Sequence, residues 1–118
     1  MRRYDLVVPS NMNRFYQNTI DIAHNQAFND AVGGKVASGF LAVELAWQEL
    51  FQIWLPARMF AGVSGQYTFL LPIFVDTPYS VVAKWEESNF LRSTEGVISN
   101  EKGEIAIRFY GRHRMQRP

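Results

Sequence analysis

The chain has 118 residues and a formal charge of +1. That is enough for one domain with an adequate core, and it carries no broad basic field of the kind that nucleic acid requires. Hydrophobic residues at 47% and charged residues at 19% exclude a disordered chain. The absence of cysteine excludes disulfides, thiolate zinc sites and cysteine nucleophiles, and fits a reducing compartment.

Nine Phe, five Tyr and three Trp are more flat apolar surface than a small core needs, so a ligand tunnel or a buried subunit interface is expected. After Met1-Arg-Arg no apolar run of signal-peptide length follows, and Glu44 and Glu49 interrupt the longest apolar segment. No membrane span is therefore expected, and a cytoplasmic location is the default.

In chain order, Tyr4 to Val8 is a short apolar run closed by Pro9, an initial strand. Ser10 or Asn11 can cap a short helix around Met12 to Asn18. Asn18 to Gly34 is polar and aperiodic, and reads as an ordered loop with one helical turn near Ala27 to Ala31. Loops of that length in compact domains tend to carry function.

From Val36 the period becomes helical. Val36, Phe40, Val43, Trp47, Leu50, Phe51 and Trp54 recur at helix spacing, with Leu41, Leu45 and Ile53 filling further sides. Glu44, Gln48 and Gln52 form only a narrow polar stripe, so this helix must be wrapped by other structure until Pro56 ends it. Gln66 to Val75 reads as one long strand with Tyr67, Phe69, Leu71, Ile73 and Val75 on one face. Tyr79, Val81, Ala83 and Trp85 share a face of the next strand, after the turn at Asp76-Thr-Pro78. Val97 to Ser99 and Ile105 to Phe109 form a hairpin across Asn100 to Gly103, where glycine supplies a positive φ. One buried helix followed by an antiparallel meander gives a single α+β domain over 1–118, its sheet curled round the helix.

Four features can carry chemistry. Asp21 and His24 lie three residues apart, close enough for a carboxylate and an imidazole to share a water; the simpler reading is a pair of loop residues bonding the backbone. Gly39 stands at the start of the apolar helix, whose first amides lack internal acceptors and would receive a ligand oxygen; the simpler reading is packing of a small residue. Glu44 would be a general acid or base if desolvated, but reads more simply as part of the solvated stripe. His113, in an arginine-rich tail with Arg112, Arg114 and Arg117, reads as a solvated surface residue.

Three segments resemble the MaoC-type (R-hydratase) hotdog family. Phe15-Tyr-Gln-Asn-Thr-Ile-Asp21 is similar to its Phe-x-x-x-(Ser/Thr)-Gly-Asp lead into the catalytic loop. Gly33-Gly-Lys-Val-Ala-Ser-Gly-Phe-Leu41 is similar to Gly-Gly-x-Ile-Ala-His-Gly-(Phe/Met)-Leu at the central helix, with Ser38 where the family commonly has His. Tyr67 to Asp76 is similar to the strand Arg-Phe-Leu-x-Pro-Val-x-x-Gly-Asp. Asp21-Ile-Ala-His24 is shorter than the family's Asp-x-Asn-Pro-x-His and lacks its Asn-Pro pair.

The resemblance implies a hotdog domain acting on acyl thioesters: an enoyl hydratase or 3-hydroxyacyl dehydratase. Asp21 and His24 would be catalytic, and Ser38, Gly39, Phe40 and Glu44 would bind substrate. Coenzyme A or phosphopantetheine would arrive as part of the substrate, from an acyl carrier protein in the second case, with no separate cofactor and no metal. A homodimer or higher homo-oligomer is implied. Gly39-Phe-Leu-Ala-Val-Glu44 also resembles the Gly-Val-Leu-x-x-Glu helix start of β-hydroxyacyl-carrier-protein dehydratases, with Asp30 where their partner His would lie. A hotdog thioesterase using Glu44 or Asp21, and a non-catalytic acyl-binding or partner subunit, stand as alternatives.

Overall fold

A sixteen-residue helix, α2 (Gly39–Trp54), is the element around which the rest is arranged. The computed structural model describes residues 1–19, 36–54 and 60–115. The long loop expected from Asn18, with its turn near Ala27 to Ala31, and the Pro56 stop therefore fall largely or wholly outside the described residues.

Along α2, Leu41, Ala42, Val43, Ala46, Trp47 and Leu50 are buried while Glu44 and Gln48 are exposed. Among the described side chains the polar stripe shows at Glu44 and Gln48, and the core side of the helix is covered while Phe40 is left half exposed. A curled antiparallel sheet supplies the cover. Its five strands are β1 (Arg2–Leu6), β5 (Tyr79–Ser88), β6 (Leu91–Ser99), β7 (Ile105–Met115) and β3 (Phe60–Phe69), side by side in the order β1-β5-β6-β7-β3. Tyr79, Val81 and Ala83 of β5 point inward with Ile98 of β6 and Ile107 and Phe109 of β7. Leu50, Ile73, Ile98 and Ile107 have no significant exposed surface, and each such side chain contributes about 1.5–3 kcal/mol by leaving water.

The edge strand β1 is fastened to the helix. The Tyr4 hydroxyl donates to the Ala46 carbonyl at 2.7 Å, and Arg2 pairs with Glu49 at 3.2 Å. Burial, then the Glu49 charge, raises the Tyr4 phenol above its ordinary range, so it stays a donor at any working pH.

The expected long strand from Gln66 to Val75 is broken in two. β3 ends at Phe69, and a short strand β4 (Ile73–Phe74) pairs instead with β2 (Val36–Ala37) in a separate two-stranded sheet. The break has a local cause. The amides of Leu70 and Leu71 both converge on the Ala106 carbonyl, at 2.8 and 3.1 Å, and Pro72 has no amide to continue the ladder. Side chains follow the break: Tyr67, Phe69 and Leu71 are exposed, whereas Ile73 and Val75 are buried.

The first helix, α1 (Ser10–Thr19), forms as expected; the Asn11 side chain accepts from the Met12 amide at 2.8 Å, and a further acceptor comes from outside the helix. The Ser10 amide donates to the Asp76 carboxylate at 3.0 Å, across 66 residues. Asp76 holds φ 55° and its own amide donates to the Val8 carbonyl, so one residue ties the strand turn to the helix start. The hairpin at Asn100 closes as expected, with Gly103 at φ 80°.

Candidate functional site

Ser38 and Gly39 form the joint between β2 and α2. The Ser38 carbonyl accepts the first helical bond, from Ala42 at 3.2 Å, so the amides of Gly39, Phe40 and Leu41 precede the helical ladder at its positive end. Ser38 is fully buried, and its amide donates to Asn13 Oδ1 at 2.9 Å. Asn13, on α1 and itself buried, thereby anchors the start of α2.

Gly39 is a glycine because Phe69 occupies the space a side chain would need. A Cβ there would stand 2.6 Å from Phe69 Cε1. The Phe69 ring also meets Phe40 edge-on at 5.2 Å. Beneath this pair lies a cavity of about 350 Å³ with Gly39, Phe40, Phe69, Leu70, Pro72 and Ile107 among its walls. It is apolar except for main-chain groups, and its size falls in the range of small-molecule sites.

A second cavity of about 480 Å³ lies along the same helix, with Tyr16, Phe40, Glu44, Trp47, Tyr67 and His113 among its walls. Trp47 organises it: its indole donates to the Tyr67 hydroxyl at 3.3 Å and its ring meets those of Phe109 at 5.1 Å and His113 at 4.8 Å. His113 is thus no solvated tail residue. It sits in β7 across from Arg92, and burial, reinforced by the Arg92 charge, pushes its imidazole below the usual histidine range. Arg92 is buried as well, paired with Glu87 and set 5.8 Å from the Trp85 ring.

The residues expected to act on substrate are therefore distributed as follows. Gly39 and Phe40 line the first cavity, Phe40 and Glu44 line the second, and Ser38 is packed behind the joint. Asp21 and His24 lie outside the described residues. Among the described residues, no group of three or more His, Asp or Glu stands close enough to hold a metal ion, and no helix is long and apolar enough to cross a membrane. Sequence reasoning missed Asn13 and Trp47 as organisers. Asn13 lay inside the expected α1 with nothing marking its partner, and Trp47 looked like one more apolar helix residue.

No protein-family model matches the sequence, and no curated protein matches it by sequence. The likeness is structural. The (R)-hydratase from A. caviae involved in PHA biosynthesis aligns with a TM-score of 0.75 at 15% identity, covering 97% of this chain and 92% of that one. The chain has the hotdog fold. The MaoC-like dehydratase from Rhodospirillum rubrum shares it at a TM-score of 0.70 and 18% identity, over 99% of this chain and 92% of that one. So does the C-terminally truncated HadBC (3R-hydroxyacyl-ACP dehydratase) complex from Mycobacterium tuberculosis, at 0.73 and 16% identity, over 94% and 92%. In hotdog terms, α2 is the central helix, the five-stranded sheet is its wrapping, and the Gly39 joint stands where the first cavity opens.

Proposed function

We propose that this hotdog domain is an acyl-thioester enzyme that hydrates 2-enoyl thioesters or runs the reverse dehydration of 3-hydroxyacyl thioesters. The observation that carries the reading is the apolar cavity at the start of the buried helix, with Gly39 in its wall and uncommitted amides beside it. A thioester oxygen received there would gain stabilisation as enolate charge develops, while the acyl chain occupies the cavity. Asp21 and His24 would activate the water: its oxygen bonds to C3, its released proton passes to the imidazole–carboxylate pair, and C2 takes up a proton as the enolate collapses. Coenzyme A or a phosphopantetheine-bearing carrier protein would deliver the acyl group. The names of the structural neighbours, hydratases and dehydratases, support this class of reaction.

We further infer a dimer. β3 is an edge strand of ten residues ending at the exposed Phe69, followed by the exposed Leu70, and an isolated copy would leave that edge and its apolar end to water. That one neighbour is a complex of two different chains keeps a second arrangement in play, in which this chain partners an active subunit. A thioesterase reading through Glu44 has less support, because that carboxylate is exposed and borders the second cavity rather than the first.

Loss of enoyl absorbance from crotonyl-coenzyme A tests the hydratase reading directly, with the variants Asp21→Asn and His24→Ala. Activity in the wild type and a loss of 100-fold or more in each variant is expected. Wild-type rates in both variants would remove the pair as catalysts, and thiol release from saturated acyl thioesters would favour the thioesterase. Inactivity alone that is relieved by a co-expressed hotdog chain would favour the partner subunit.

A further inference from the structure

Phe40 is a wall of both cavities. On one side it faces the apolar space of about 350 Å³ at the helix start, and on the other the space of about 480 Å³ organised by Trp47 and Tyr67. Its ring is set edge-on to Phe69 at 5.2 Å, and Phe69 in turn presses on Gly39. Phe40, backed by Phe69 on the side of the first space, thus stands between the two. Glu44, one helical turn beyond Phe40, borders the second space, whereas Leu70, Leu71, Pro72, Ile73 and Ile107 line the first. The first space is the one suited to a wholly hydrocarbon group.

We propose that Phe40 is the residue that sets acyl chain length, by partitioning one potential tunnel into a short acyl chamber and a separate second chamber. This rests on the acyl-thioester reading above. At about 30 Å³ per atom, the share a water takes in the liquid, a space of about 350 Å³ corresponds to roughly a dozen non-hydrogen atoms. A butyryl or hexanoyl group fits with room for the thioester. A dodecanoyl group with its thioester outgrows that space, and its far end meets Phe40 at the boundary. Each methylene that fails to find the apolar wall forfeits about a fourfold gain in affinity, so discrimination between short and long chains is large even when their thioester ends bind identically.

The partition is also easy to move. Half of the Phe40 surface is exposed (51%), so its ring is not locked by the core as Phe109 is (2%). Truncation removes the divider without opening a void in the packed interior, because the core side of α2 is carried by Leu41, Ala42, Ala46 and Leu50.

The test measures equilibrium binding of butyryl-, octanoyl- and dodecanoyl-coenzyme A by calorimetry, to the full chain and to Phe40→Ala and Phe40→Leu. Saturated thioesters are used so that the result does not depend on turnover. The ratio of dodecanoyl to butyryl affinity should rise at least tenfold in Phe40→Ala, with a smaller rise in Phe40→Leu. The Leu variant keeps a side chain on the helix start, and reports even where Phe40→Ala fails to fold. An unchanged ratio in a folded variant, or equal weakening at all three lengths, overturns the partition while leaving the acyl-thioester reading intact. If the wild type binds none of the three, the acyl-thioester reading falls, and the partition with it.

Discussion

Phe69 lies so close to Gly39 that a single methyl added to the glycine would stand 2.6 Å from the ring. Two opposing effects act on Gly39→Ala. A methyl in a helix favours the helical state by up to about 1 kcal/mol over glycine, less at the first position. Overpacking against a ring edge costs about 1–3 kcal/mol. The clash should win, with net destabilisation of about 1 kcal/mol in urea unfolding. Adding Phe69→Ala removes the obstacle. The double variant should be more stable than the sum of the single effects by about 0.5–3 kcal/mol. Strict additivity would mean that the ring does not constrain the glycine.

Asn13 reaches across 25 residues to satisfy the buried Ser38 amide. In Asn13→Ala that amide loses its acceptor at a fully buried position, which costs about 1–3 kcal/mol. Hydrogen exchange gives the more specific readout. The Ser38 amide should lose protection well beyond the global change, while amides in β5 and β6 follow global stability alone. Uniform loss of protection across both would show that the bond does not hold the joint.

How much of this arrangement the sequence disclosed depends on whether its cause was local. The polar stripe of α2 and the inward face of β5 follow from spacing, and the structure has the stripe at Glu44 and Gln48 and the inward face at Tyr79, Val81 and Ala83. The break after Phe69 was marked only by Pro72; what stops the ladder is the Ala106 carbonyl, which sequence places far away. The turn between β5 and β6 gave no signal either. It uses Asn89 and Phe90 at φ 52° and 62°, and a phenylalanine in the left-handed region has no glycine to announce it. His113 was misread because its neighbours in sequence are arginines, whereas its neighbours in space are Trp47 and Arg92. For the site, the Gly39–Phe40 start was legible from a glycine opening an apolar run. The partition was not, since it needs Phe69 placed from a distant strand.

Asp76 caps α1 from the turn before β5, through the 3.0 Å bond from the Ser10 amide. Asp76→Ala removes the acceptor and leaves alanine at φ 55°, where a Cβ is strained. The lost cap costs about 0.5–2 kcal/mol, and the strain adds about 1 kcal/mol or more. Asp76→Asn retains an acceptor and tolerates the left-handed region, so it should retain most of the stability. Equal losses in both variants, measured by thermal unfolding, would show that neither the oxygen nor the backbone angle matters there.

The His113 imidazole is held below its ordinary range, first by burial and then by the Arg92 charge. Glu87 answers that charge from the partner strand, and Glu44 and Tyr67 border the same cavity as His113. The native state therefore binds fewer protons at this ring than the unfolded chain does. Stability contributed by neutral His113 is fully present above the unfolded pKa of about 6.5 and is lost as pH falls from there toward the lower folded value. His113→Phe keeps an aromatic ring against Trp47 and cannot titrate. Between pH 7.5 and 5.5 the melting temperature of the wild type should fall more steeply than that of the variant, and the two curves should run parallel above pH 7.5. Parallel curves throughout would mean that Glu44 or Glu87 offsets the Arg92 charge and lets the imidazole titrate as it does in water.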